Sequence, residues 1–276
     1  MNGKEGDSLE QTQLGFIGAG NMATAIINGI ISSAALQPQQ IAVFDINAEK
    51  CEVFAQQGVQ VADSLQALAQ GCQILVLAVK PQSFEEVLTA VKGTVTPQTL
   101  LISIAAGIST DYIRNALECD CPVIRTMPNT PLLLGQGATA MCRSVGVTDE
   151  MFETAESFFS CCGTVTELEE TQMNAVIAIN GSSPAYFYLF AKAMLDSAER
   201  QGIAKETALP LIVQTMIGSA GMLVYSGKTP QELINMVSSK GGTTLAALEV
   251  FYAGQLEETV DNAMQACTRR AEELGK

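Results

Sequence analysis

Leu14-Gly15-Phe16-Ile17-Gly18-Ala19-Gly20-Asn21-Met22-Ala23 is an apolar run, a glycine turn and the opening of a longer amphipathic segment. The first four residues suit a buried strand. Beyond the turn, Ala25, Ile26, Ile27, Ile30 and Ile31 recur at helical spacing. Strand, turn and helix in that order make a cradle for a dinucleotide pyrophosphate. Gly18 permits the tight turn, Gly20 lets the backbone approach the phosphates, and the small Ala23 lets helix and strand pack closely. The N–H groups at the helix start then face the negative charge. An ordinary strand-to-helix turn can show the same spacing, so the reading draws its strength from what lies around it.

Working outward, short apolar runs alternate with amphipathic segments. Strands are predicted at Leu14–Ile17, Ile41–Phe44, 59–61, 74–79, 100–104 and 123–126, with two more at 138–141 and 164–168. Helices are predicted among them, for example at 22–33, 48–57 and Thr110–Leu117. The run Ile74-Leu75-Val76-Leu77-Ala78-Val79 does not alternate in polarity, which suits a strand covered on both faces. The pattern predicts an α/β domain over 12–168, with a doubly wound parallel sheet built for dinucleotide binding. From 169 the character changes to segments of helical period rich in Ala, Leu and Met, at 186–201, 208–225 and 246–252. An all-α second domain is expected over 169–276, with Met173, Met194, Met216, Met222 and Met236 packing its core. Residues 208–226 are uncharged and long enough to cross a bilayer. They contain Pro210, Gln214 and two glycines and lie among amphipathic helices, so they read as a core or subunit-interface helix, with no membrane partner.

The composition narrows the chemistry. A chain of 276 residues with 47% hydrophobic content can build a sizeable core. A net charge of −14 without a basic block repels nucleic acid phosphate. Met1 to Gln11 is polar and of mixed charge, which reads as a loose tail with no secretory signal. The eight cysteines form no Cys-x-x-Cys pair and read as reduced, cytosolic thiols, most of them small core residues. The absence of histidine removes imidazole–zinc sites and any Ser-His-Asp or Cys-His catalysis, and no metal is expected. An enzyme of this composition works through a cofactor, a lysine, carboxylates or hydroxyls.

In such a fold the ligand crevice lies beyond the carboxyl ends of the strands. Asp45 closes the second strand about 25 residues after Gly20, near the spacing of roughly 20 residues expected for a ribose-binding acid. There it would accept from both ribose hydroxyls and repel a 2′-phosphate, favouring NADH. Asn47 and Lys50 follow closely and could receive that phosphate if Asp45 turns away, and a solvated strand-end acid is a third reading. Ala78-Val79-Lys80-Pro81 ends the fourth strand and places Lys80 near cofactor hydroxyls or phosphate. Ala105, Ala106 and Gly107 end the fifth and leave room for a nicotinamide ring.

Six segments occur in a telling order: Gly-Ala-Gly-Asn-Met at 18–22, Ala-Val-Lys-Pro at 78–81, Ser-Ile-Ala-Ala-Gly at 103–107, Arg-Thr-Met-Pro-Asn-Thr-Pro at 125–131, Gly-Ser-Ser-Pro-Ala-Tyr at 181–186 and Gly-Gly-Thr-Thr at 241–244. From Leu14 nearly to its end the chain resembles the pyrroline-5-carboxylate reductases, which reduce a cyclic imine with NADPH or NADH in the last step of proline synthesis. The resemblance implies a Rossmann domain, a C-terminal helical domain that forms homodimers, and assembly into larger rings, up to a decamer of dimers. It assigns cofactor contacts to Gly18, Ala19, Gly20, Asn21, Met22, Val79, Lys80 and Pro81, and nicotinamide contacts to Ala105, Ala106 and Gly107. Ser239, Gly241, Gly242, Thr243 and Thr244 would hold the substrate carboxylate, with Glu169 and Glu170 approaching the substrate side. Lys240 stands where the family usually has proline, a departure that loosens the loop.

The chemistry this implies is hydride transfer to an imine carbon. A cyclic imine protonates readily, so a strong general acid is optional, and alignment supplies most of the rate. Thr244 is the candidate to assist protonation, with Tyr186 behind it. Arg125, Asn129 and Thr130 read either as groups facing the cleft or as side chains satisfying local backbone. Two rivals are a 3-hydroxyacid dehydrogenase, for which Lys192 would be the catalytic lysine, and a cofactor-binding homologue without turnover.

Overall fold

The computed structural model describes residues 13–275, so the polar tail expected over 1–11 lies outside the described residues. Contacts divide the chain into a sheet unit, formed by residues up to Ser182 together with those from Cys267 onward, and a helical unit, Ser183–Ala266.

In the sheet unit, strands and helices alternate: β1 (Leu14–Ile17), α1 (Asn21–Ser32), β2 (Ile41–Phe44), α2 (Ala48–Ala55), β3 (Gln60–Val61), α3 (Leu65–Gly71), β4 (Ile74–Leu77), α4 (Phe84–Val91), β5 (Leu100–Ser103), α5 (Thr110–Leu117), β6 (Val123–Met127), β7 (Gly137–Arg143), α6 (Asp149–Ser160) and β8 (Gly163–Glu167). The strands form one eight-stranded sheet of order β3-β2-β1-β4-β5-β6-β7-β8. Strands β1 to β6 pair in parallel, with Leu14 opposite both Ile41 and Ile74. The order reverses between β1 and β4, and the carboxyl ends of these strands border the crevice expected at such a switch point.

Apolar runs decide this arrangement. Strands β1 and β5 are buried along their whole length, so helices must cover both faces of the sheet. One face packs Ile26, Ile27 and Ile30 of α1 with Phe152 and Phe159 of α6. The other packs Leu68 of α3, Phe84 and Leu88 of α4 and Ile113 of α5. Each such side chain contributes about 1.5–3 kcal/mol of burial. One expectation is refined. The sheet is mostly parallel, but β7 runs antiparallel to β6, and β8 then pairs parallel to β7. Residues 128–136 make this reversal through a 3₁₀ turn at Thr130–Leu134 that ends at Gly135, where φ is +68°.

The helical unit contains α7 (Ser183–Arg200), α8 (Lys205–Tyr225), α9 (Pro230–Val237), α10 (Thr243–Ala253) and most of α11 (Leu256–Leu274). Helices α7 and α8 pack together, and the rings of Phe190 and Phe251 meet at 6.1 Å. Within 183–266 only Pro184, Ala208 and Ile212 are buried. The methionine expectation therefore needs correction. Met173 is fully buried but belongs to the sheet unit, whereas Met194, Met222 and Met236 are exposed. The physical reason is that these helices enclose too little volume within one chain to form a core. Helix α8 is long and apolar enough to cross a membrane by length and composition, yet only 11% of its apolar window is buried.

All eight cysteines are free thiols, and Cys51, Cys72, Cys121, Cys142 and Cys162 are buried, as expected of small core residues.

Candidate active site

The glycine turn after β1 has the geometry its sequence calls for. Gly18 adopts φ +104°, and a Cβ there would lie 2.6 Å from the Ala78 carbonyl oxygen, so only glycine fits. Gly20 caps the start of α1, and a Cβ on it would meet nothing within 4 Å. That residue faces open space, where a phosphate can approach the backbone. Ala23, 1% exposed, packs α1 into the core. No side chain caps α1, and its first turn holds no acid. The first N–H groups of a helix have no intrahelical acceptor, so this terminus is suited to an anion.

Three strand ends and this helix start enclose a cleft of about 260 Å³. It is lined by Gly20, Asn21, Met22, Ala23, Ala78, Val79, Lys80, Pro81, Ile104, Ala105, Ala106, Met127 and Pro128. Segments predicted separately at the ends of β1, β4 and β5 thus meet in one place. Ile104, Met127 and Pro128 were not assigned to the cofactor from sequence, although the last two lie at the end of β6, as Lys80 and Ala105 lie just beyond β4 and β5. Strand-end position was the signal that could have found them. The donor set fits a nicotinamide dinucleotide. An acid-free helix start, the exposed Lys80 and small apolar walls suit phosphate at one end and a flat ring at the other.

Gly18, Ala19, Asp45, Asn47 and Gly107 lie outside that lining. Asp45 is bonded inward. Its Oδ2 accepts from the Ala19 N–H at 2.8 Å and its Oδ1 from the Asn47 N–H at 2.9 Å. Lys50 Nζ stands 3.7 Å from Oδ2, and the Asn47 side chain caps α2 by accepting from the Glu49 N–H. The carboxylate therefore holds the glycine turn in shape, with further lone pairs left for a ribose. Gly107, at φ +82°, has the Ala271 carbonyl and Leu274 of α11 where a Cβ would stand.

A second uncapped helix start lies in the helical unit. Gly241 adopts φ +72°, and Gly242 caps α10 with its N–H donated to the Ser239 carbonyl at 2.9 Å. Gly241 takes a left-handed conformation that favours glycine, and a Cβ on Gly242 would stand 2.5 Å from the Ser239 hydroxyl, which would have to move aside. No side chain caps α10 and no acid occupies its first turn. Ser239, Lys240, Gly241 and Thr243 are exposed, and Gly242 and Thr244 are half-buried. Every other helix with a described cap, α2, α3, α4, α5, α6, α8 and α9, carries a side-chain cap, a first-turn acid or both.

Arg125 and Asn129 satisfy internal groups. Arg125 is 3% exposed, donates to Asn174 Oδ1 at 2.6 Å and stands 3.5 Å from Glu170. Glu170 in turn accepts from the N–H and hydroxyl of Thr110 at 2.9 and 2.6 Å, which ties the start of α5 to the middle of β6. Burial lowers the Arg125 guanidinium from its ordinary value while Glu170 opposes the shift, and burial pushes the adjacent Cys142 thiol up to about 12. Lys192 is exposed on α7 and paired with Asp196 at 2.7 Å, a surface ion pair rather than a lysine held for catalysis.

Known proteins resemble this chain over nearly its whole length. A family model described as pyrroline-5-carboxylate reductase dimerisation matches residues 170–274, and one described as NADP oxidoreductase coenzyme F420-dependent matches 13–107. The pyrroline-5-carboxylate reductase of Escherichia coli K12 is 36% identical over 267 residues, covering 96% of this chain and 99% of that protein. A solved pyrroline-5-carboxylate reductase from Coxiella burnetii superposes with a TM-score of 0.88 at 34% identity, over 96% of this chain and 99% of its own. The Plasmodium falciparum pyrroline carboxylate reductase with NADP bound gives 0.88 at 29% identity, over 97% and 99%.

Proposed function

The chain belongs to the pyrroline-5-carboxylate reductase family, and from that premise we propose that it reduces 1-pyrroline-5-carboxylate to L-proline with NADPH or NADH. The observation that carries the reading is the acid-free, uncapped start of α1 opening on a cleft walled by the ends of β4, β5 and β6. When bound there, the reduced nicotinamide supplies a hydride for the imine carbon. The residues of the chain bind and orient. The first-turn N–H groups of α1 and the Lys80 ammonium hold the pyrophosphate, with Gly18, Ala19 and Asp45 keeping the turn in shape. Val79 and Pro81 flank it, and Ala105, Ala106 and Gly107 belong to the nicotinamide end.

In the same proposal, Ser239, Gly241, Gly242, Thr243 and Thr244 hold the substrate carboxylate through the N–H groups at the start of α10 and neighbouring hydroxyls. The Thr244 hydroxyl is the candidate donor to the imine nitrogen. Residues 169–276 serve substrate binding and homodimer formation, with the apolar helix α8 in the copy-to-copy interface. Assembly of dimers into larger rings, up to a decamer of dimers, a cytoplasmic location and absence from membranes complete the proposal.

The test supplies purified protein with 1-pyrroline-5-carboxylate and NADPH or NADH in parallel and follows nicotinamide absorbance. Oxidation that depends on the imine is expected, and no oxidation with either nucleotide overturns the reading.

A further inference from the structure

The sheet unit contains a π-helical turn, Ile177–Gly181, that packs against β6 and β7. Such turns are rare and concentrate at functional sites. This one presents Asn180, which is 8% exposed. Strands β6 and β7 separate beyond the pairing of Met127 with Ala140, where the chain leaves to make its reversal. Asn180 fills the gap. Its amide nitrogen donates to the Met127 carbonyl at 2.6 Å and to the Ala138 carbonyl at 2.9 Å. Asn129 completes the junction, donating to the Asn180 carbonyl at 3.2 Å and accepting from the Ala138 N–H at 2.9 Å. One side chain far away in sequence thus joins two strands where the backbone ladder stops. The next residue, Gly181, leaves room for the Met127 methyl group, so the turn grips both the main chain and the side chain of Met127.

Met127 and Pro128 are the β6 wall of the cleft. We infer that Asn180 is a positioning residue for the nicotinamide half of the cofactor site, acting through Met127 and Pro128 without touching the ligand. The inference rests on the cleft being the nucleotide site. An adenosine half would lie by β2, on the other side of β1, beyond the reach of Asn180.

That asymmetry supplies the test. Asn180→Leu keeps the volume and removes both donors, whereas Asn180→Ser keeps a single donor. Titration calorimetry with NADP⁺, NAD⁺ and ADP is run on the wild type and on each variant, with thermal unfolding followed alongside. For Asn180→Leu, affinity for the preferred dinucleotide falls about tenfold. Affinity for ADP stays within about twofold, and Asn180→Ser lies between. Equal loss for ADP and dinucleotide, or unchanged dinucleotide affinity in both variants, overturns the inference. If Asn180→Leu does not fold, Asn180→Ser decides alone by the same comparison. A wild type that binds no nicotinamide nucleotide overturns the cleft reading itself and the inference with it, whereas binding by the wild type isolates the role of Asn180.

Discussion

Phe16, Ile27, Leu75 and Phe84 of the sheet unit are almost wholly shielded within one chain, whereas Val224, Tyr225 and Val250 of the helical unit are 70%, 87% and 71% exposed. Both regions are rich in apolar residues, so composition does not separate them. The sheet unit has two helical layers to cover its strands, and each layer closes a core. The helical unit has no such layer of its own, and it leaves large apolar residues such as Leu211, Ile217, Val224 and Val250 exposed within one chain. The contrast teaches that the first region is specified by its own chain and the second by what it docks against. A second copy is the occupant that the dimerisation match over 170–274 supports.

The largest effect should come from breaking the helical side. Ile217 is 61% exposed on α8, and at an ordinary surface Ile217→Asp would be nearly neutral. If the surface joins two copies, a buried carboxylate dissociates them. Light scattering should show loss of the dimer and activity should fall by at least about tenfold, because each unit then loses the partner that completes it. A dimeric, active variant would erase the contrast.

On the sheet side, Glu170→Ala leaves the buried Arg125 charge without its carboxylate and should cost about 3 kcal/mol in urea unfolding. Arg125→Met combined with Glu170→Leu should recover much of that loss, because the unpaired charge is gone. No recovery would mean that Thr110, rather than the ion pair, is what Glu170 serves.

Buried thiols sharpen the comparison further, since Cys72, Cys121 and Cys142 all lie in the sheet unit with burial pushing each up to about 12. The unfolded chain ionises these thiols above their ordinary value of 9.0, while the folded chain keeps their protons. Their contribution to stability is therefore intact below about pH 9 and falls as pH rises toward 12, by up to about 1.4 kcal/mol per pH unit for each thiol. Urea midpoints at rising pH should show this slope, and Cys142→Ala should reduce it. The smallest effect concerns the glycine turn. Asp45→Ser removes a negative charge and the acceptor for the Ala19 N–H, and should raise the NADPH-to-NADH ratio of kcat/KM about tenfold. An unchanged ratio in paired assays would show that Asp45 shapes the turn without facing the ribose.

The strands and the first helix were legible because unbroken apolar runs and Gly18-Ala19-Gly20 are local signals. The gathering of Gly20, Lys80 and Ala105 into one cleft was legible too, since parallel strands bring their carboxyl ends to one edge. The antiparallel β7 was not, because the apolar pattern of a strand reads the same in either direction. Met127 and Pro128 belong to the Arg-Thr-Met-Pro-Asn-Thr-Pro segment, in which nothing local marks a cleft wall, and Asn180 carries no local signal at all. The exposure of Met194, Met222 and Met236 was not legible either, because periodicity reports an apolar face but not whether that face is covered within the same chain.

By itself, the sequence determined the alternation of strand and helix, the turns that place glycine in the left-handed region at Gly18 and Gly241, and the exclusion of histidine chemistry. The tertiary structure alone decided that the Asp45 carboxylate turns inward to the Ala19 N–H and that Asn180 bridges the parting of β6 and β7. Backbone preference and polarity are properties of neighbouring residues, whereas a hydrogen bond across 26 or 53 positions exists only once the sheet has brought its ends together.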